Sequence, residues 1–152
     1  MKRTLTLLIT LLLVSPAFCQ NDMEKVMEKR AKEMHRVIGL TDKAEWKKFV
    51  KENYTQALID KPMQAKVQTS DNGSVSTSTS ESKSVDNIEA KAGMFQRLHG
   101  DFGNSKLVSL KPIGEKMEMV LKNSGGMTGN FTLTFDKKSP YLIDKLGIEV
   151  GN

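Results

Sequence analysis

The chain of 152 residues has two histidines, His35 and His99, and the second stands two positions from Asp101 in the stretch LHGDFG (98–103). An imidazole takes up and releases a proton near neutral pH, and a neighbouring carboxylate can orient it. That pairing is a common basis of general acid–base chemistry. A zinc-type metal site would need three or four N, S or O donors. His35 lies far away in sequence among the charged residues of EKRAKEMHR (28–36), where it is expected to be exposed, so no metal is expected. No Gly-x-Ser-x-Gly elbow is present. SESK (80–83) matches Ser-x-x-Lys only inside a low-complexity run, and the glycine-rich NSGGMTG (123–129) joins two strands rather than opening a helix onto a phosphate. No catalytic nucleophile and no cofactor are expected.

The meaning of His99 depends on the elements around it. Ile88, Ala92, Phe95, Leu98 and Phe102 fall on one helical face, and Asp86 with Glu89 has capping-box spacing. Gly100 and Gly103 mark the exit of that helix. The apolar period then changes from helical to two. Strands are predicted at 106–110, 115–122, 128–135 and 141–150, with Met117, Met119, Leu121, Phe131, Leu133, Phe135, Leu146, Ile148 and Val150 facing inward. Pro112–Gly114, Asn123–Gly126 and Asp136–Pro140 suit the turns between them. His99 is thereby placed near a helix C-terminus, where the dipole favours a cation, and Asp101 becomes a turn residue.

Two helices precede these elements. Met23, Val26, Met27, Met34, Val37 and Ile38 form the stripe of the first, which Gly39 is expected to end in the left-handed conformation. Asp42 and Glu45 suggest a capping box for the second. Trp46, Phe49, Val50, Tyr54, Ala57 and Leu58 line its apolar face, and Pro62 ends it. The expected fold class is α+β: three N-terminal helices packed on a curved four-stranded antiparallel meander. The Ser/Thr-rich segment 68–86 cannot bury enough apolar surface to offset its ordering entropy and is expected to be a flexible loop inside a single domain spanning 20–152.

Compartment is read from the first residues. Lys2 and Arg3, an apolar run from Leu5 to Val14, then Ser15, Pro16 and small residues make a secretory signal peptide over 1–19. That run is too short for a transmembrane helix, which takes roughly 20 residues. Cleavage after Cys19 leaves Gln20 first and no cysteine in the mature chain, so the core must hold the fold without disulfides. The alternative is acylation of Cys19, a lipoprotein anchor, against which Phe18 is bulky. Losing Lys2 and Arg3 takes two of 23 basic residues and leaves an excess of only three over the 18 acidic ones. No basic stripe interleaved with aromatic residues is present, so nucleic acid is not an expected partner.

FVKENYTQALID (49–60), FQRLHGDFGNSKLVSL (95–110), FTLTF (131–135) and PYLIDKLGIEV (140–150) together resemble a small accessory domain of secreted bacterial proteins, especially of the Bacteroidetes. Such domains stand beside β-lactamase-like serine hydrolases or tail-specific proteases. Their Leu-His-x-Asp-(Phe/Leu)-Gly segment is matched here by Leu98, His99, Asp101, Phe102 and Gly103. The resemblance implies a cystatin-like, nuclear transport factor 2-like cone and a non-catalytic role.

The expectation is therefore a secreted or periplasmic, non-enzymatic accessory domain that binds a partner protein, such as a secreted hydrolase, or a small apolar ligand. Trp46, Tyr54, His99 and Asp101 are the candidate ligand-binding residues. The alternative is a small isomerase or hydrolase using His99 and Asp101 as acid–base groups.

Overall fold

A computed structural model describes residues 17–61 and 87–151. The leader expected at 1–19 lies outside these residues except for Ala17–Cys19, and the Ser/Thr-rich loop at 68–86 lies wholly outside them. The elements run α1 (Ala17–Ile38), α2 (Lys43–Asn53), α3 (Gln56–Asp60), α4 (Asn87–Phe102), β1 (Lys106–Ile113), β2 (Lys116–Lys122), β3 (Thr128–Phe135) and β4 (Ile143–Gly151). The strands form one antiparallel sheet in the order β1-β2-β3-β4. The fold is α+β, helices first and meander last.

The helices bury most of the stripes that the sequence predicts, but Met23, Val26 and Ile88 are only partly buried. Ala57, expected on the apolar face, is exposed where the chain has broken at Tyr54. Met27, Ala31, Met34, Val37 and Ile38 of α1 are buried, as are Trp46, Phe49 and Val50 of α2 and Ala92, Phe95, Leu98 and Phe102 of α4. α4 packs against the three other helices, while α1 covers β1 and β2 and α3 meets β4. The single helix expected over 42–61 is two helices. Tyr54 leaves the helical path in extended conformation and bridges to Ile143. Thr55 then caps α3: its backbone N–H donates to the Ile143 carbonyl at 2.9 Å, and its hydroxyl accepts from Leu58 N and donates to Asp144 at 3.1 Å. The break exchanges one turn of helix for an anchor on the β4 edge.

The sheet's inner face carries Met117, Met119, Leu121, Phe131, Leu133, Phe135 and Ile143, all buried. Leu146 and Ile148 pack partly against them, but Val150, expected inside, is 55% exposed at the end of an edge strand. The outer face has no covering layer among the described residues. The β1 edge is discouraged from pairing with another chain by Lys106, Lys111, Pro112 and an irregularity between Leu107 and Ser109.

Aromatic rings join the layers edge to face. Phe49 meets Phe95 at 5.4 Å between centroids, and Phe102 meets Phe131 at 5.6 Å. Phe102 reaches the sheet because Gly129 leaves it room: a Cβ there would sit 2.6 Å from Phe102 Cζ and 2.8 Å from the Phe131 ring. Gly129→Ala should therefore cost about 1–3 kcal/mol through overpacking. Gly147→Ala, whose nearest neighbour would be 3.8 Å away, should leave stability within about 0.5 kcal/mol of the parent. Urea midpoints of the two variants check this; equal midpoints would contradict the packing.

Candidate functional site

The last carbonyls of an α-helix have no partner within the helix and must find one elsewhere. At the end of α1 all four are satisfied. Gly39 N–H is shared between His35 O at 3.3 Å and Arg36 O at 3.1 Å. Val37 O accepts from Leu40 N at 3.1 Å and from the Trp46 indole Nε1 at 3.1 Å. Ile38 O accepts from His99 Nδ1 at 2.9 Å. Two of the four candidate ligand residues, Trp46 and His99, thus converge on adjacent backbone carbonyls of one helix.

A carbonyl only accepts, so the hydrogen of neutral His99 is on Nδ1 and its lone pair is on Nε2. The reverse link is made by His35, which is half-buried rather than exposed as its charged neighbours suggest. Its Nε2 donates to the Ser105 carbonyl, just past α4, at 3.1 Å. Each of the two helices therefore sends a histidine from its last turns to a carbonyl at or just beyond the other's end. Two glycines permit the approach. A Cβ on Gly103 would lie 2.7 Å from His99 Nδ1, and one on Gly39 would lie 3.3 Å from Gly103 O. Gly39 is not in the left-handed region; it is needed for closeness rather than for an unusual φ.

Asp101 is exposed. Its backbone carbonyl accepts from Asn123 Nδ2 at 2.9 Å, which ties the α4 exit to the β2–β3 turn. Among the described contacts no hydrogen bond or ion pair joins it to His99. Tyr54 is 2% exposed and packs edge to face on Phe49 at 5.9 Å. Its hydroxyl is buried with no hydrogen-bond partner, and burial pushes the phenol pKa well above its ordinary value. Trp46 and Tyr54 thus belong to the packed interior, His99 to a half-buried helix junction and Asp101 to the surface.

Arg30 makes a second junction that the apolar pattern concealed. From α1 it donates through Nη1 to Glu52 O at 3.2 Å and to Asn53 Oδ1 at 2.5 Å, and through Nη2 to Pro140 O at 2.9 Å. Asn53 in turn donates from Nδ2 to Phe49 O at 2.9 Å. Lys91, 7% exposed, donates to Lys61 O at 2.7 Å, and burial pulls its pKa down. The available signal was positional. Arg30, Asn53 and Lys91 each stand three or four residues from buried apolar neighbours, on the faces their helices bury.

Among the described residues no three His, Cys, Asp or Glu side chains are grouped to hold a metal, and no helix is long and apolar enough to cross a membrane. Compared with known proteins, the chain matches no family model, no curated protein and no solved structure.

Two measurements separate architecture from chemistry at these residues. His99→Ala should lose about 1–3 kcal/mol by orphaning Ile38 O. His99→Asn, whose amide nitrogen takes the place of Nδ1, should lose less. Wild-type stability in His99→Ala, read from urea unfolding, would instead free the imidazole for another task. Tyr54→Phe should equal or exceed the parent's stability, because it deletes a buried hydroxyl with nothing to bond. Its advantage should widen above pH 10. There the unfolded chain releases the phenol proton that the folded chain retains, so this contribution lowers the parent's stability as pH rises and is absent from the variant. A Tyr54→Phe variant that melts lower at pH 7 would show that the hydroxyl has a partner in solution.

Proposed function

We propose that this protein is a secreted or periplasmic, non-enzymatic accessory domain that acts by binding a partner protein. The observation that carries this reading is the use of Trp46 and His99. Trp46 gives its indole N–H and His99 its Nδ1–H to α1 carbonyls, while among the described residues the outer face of the sheet has no covering layer. The segment that resembles one in hydrolase-associated accessory domains fits this reading. Leu98 and Phe102 are core residues, His99 is the cap, and Gly103 makes room for its ring. Such a segment is explained by the needs of folding. The signal-peptide pattern of 1–19 supports export, with Gln20 as the first mature residue.

The test is a chain tagged after its C-terminus and produced at native level in its own host, followed by fractionation, N-terminal mass spectrometry and native electrophoresis. The expected product begins at Gln20, lies outside the cytoplasm and migrates in an assembly well above the 16.9 kDa of the full chain. An acylated Cys19 would change the anchor and leave the binding role intact. A free monomer in every fraction would overturn the binding role, and an uncleaved cytoplasmic chain would overturn export.

A further inference from the structure

On the outer face of the sheet, strand pairing sets the side chains in four rows. One end row is Lys106, Lys122, Thr128 and Gly151, and the other is Ile113, Lys116, Thr134 and Lys145. Between them lie Lys111, Glu118, Thr132 and Gly147, then Ser109, Val120, Asn130 and Glu149. Five lysines thus share the face with two glutamates. Lys106 and Lys122 are direct cross-strand partners, and like charges set opposite one another weaken a sheet. Protection of the β1 edge accounts for Lys106, but not for a second lysine set opposite it at Lys122.

The contrast with the helical side is informative. There Glu28, Glu33, Glu45 and Glu89 pair with Lys32, Arg36, Lys43 and Lys47. Among the described residues none of the five sheet lysines has an ion-pair partner, and nearby Glu115 is engaged by Lys137 at 3.0 Å. The small outer face thus carries five lysines against two glutamates, while the much larger helical part, residues 17–61 and 87–102, carries 12 basic against 10 acidic residues.

We infer that this face docks on an acidic surface of the partner protein, with carboxylates meeting the lysine rows at its two ends. The inference rests on the partner-binding role proposed above. The rows of Lys122 and Lys116 are about 20 Å apart along β2 at ~3.4 Å per residue. Between them the middle rows hold Thr132, Asn130 and Gly147 with both glutamates of the face, and Glu118 stands directly opposite Lys111. The rings of Phe102, Phe131 and Phe135 are buried on the inner side, so the outer face offers no aromatic platform on which nucleic-acid bases could stack. Its exposed apolar side chains, Ile113 at one corner and Val108 at the β1 irregularity, are too few and too small to anchor it in a lipid surface. The face measures roughly 20 by 25 Å in projection, below the ~800 Å² per partner of a standard interface. The complex is accordingly weak, fast to form and salt-sensitive.

The experiment places p-benzoylphenylalanine at Thr132 on this face, or at exposed Lys48 on the helical side, in the full chain within its host. Light should trap a protein adduct from Thr132 and little from Lys48. Charge reversal by Lys106→Glu with Lys122→Glu should reduce the Thr132 adduct at least tenfold with an unchanged melting curve. The cross-linked peptide should map to an Asp- and Glu-rich surface of the captured protein. An adduct from Lys48 alone would overturn this face while sparing the binding role, and no adduct from either position would overturn the binding role itself. A nucleic-acid or lipid adduct, or a protein adduct indifferent to charge reversal, would overturn the inference.

Discussion

A helix that ends inside a protein leaves carbonyls that cannot reach water, and α1 solves this with side chains from two other helices. The Trp46 indole comes from α2 and the His99 imidazole from α4, onto Val37 O and Ile38 O. Each bond is worth only about 1 kcal/mol net, but leaving a buried carbonyl bare costs more, so the α1 end fixes where α2 and α4 can sit. His35 returns the link to Ser105 O, the point from which β1 departs. The start of the sheet is thereby positioned by the end of the first helix.

Arg30 does the corresponding work further back along α1. It draws the end of α2 and the β3–β4 connection to the same guanidinium through three oxygen acceptors. A planar cation with five donors suits that task better than a lysine would, because its donors diverge at fixed angles. Between these two junctions the apolar stripe of α1 needs little specificity of its own. This accounts for a core rich in methionine, whose flexible chains fill space without dictating register.

Apolar periodicity made the architecture legible. The stripe of α4, the alternation of β2 and β3 and the later two turns are as the sequence predicts, because one face of each element must be buried and the two periods differ. The first turn comes later than expected, since β1 continues through Pro112 to Ile113. Other features were not legible. The break at Tyr54 arises from a tertiary bond between Thr55 and Ile143 that no local pattern encodes. Gly39 serves close approach to α4 rather than a left-handed turn. Trp46 and Tyr54 are residue types that line ligand sites and equally types that fill cores, and only burial distinguishes the two. The adjacency of His99 and Asp101 suggested a pair, but helical geometry sends neighbours two apart to different sides of the axis. Lysines on alternate strand positions read as ordinary solvent-facing residues until pairing set them in rows.

Where the chain leaves α3 and where it re-enters α4 are bound to each other. Lys91 holds Lys61 O, and Asn87 Nδ2 reaches Asp60 Oδ1 at 3.4 Å. The two ends at 61 and 87 are thus held close by bonds of their own, whatever the length of chain between them. Closing a flexible loop costs only ~0.6 kcal/mol for each doubling in residues. The domain therefore offers evolution, or an engineer, a port at which sequence can be inserted or exchanged while the helix junctions and the lysine face stay as they are.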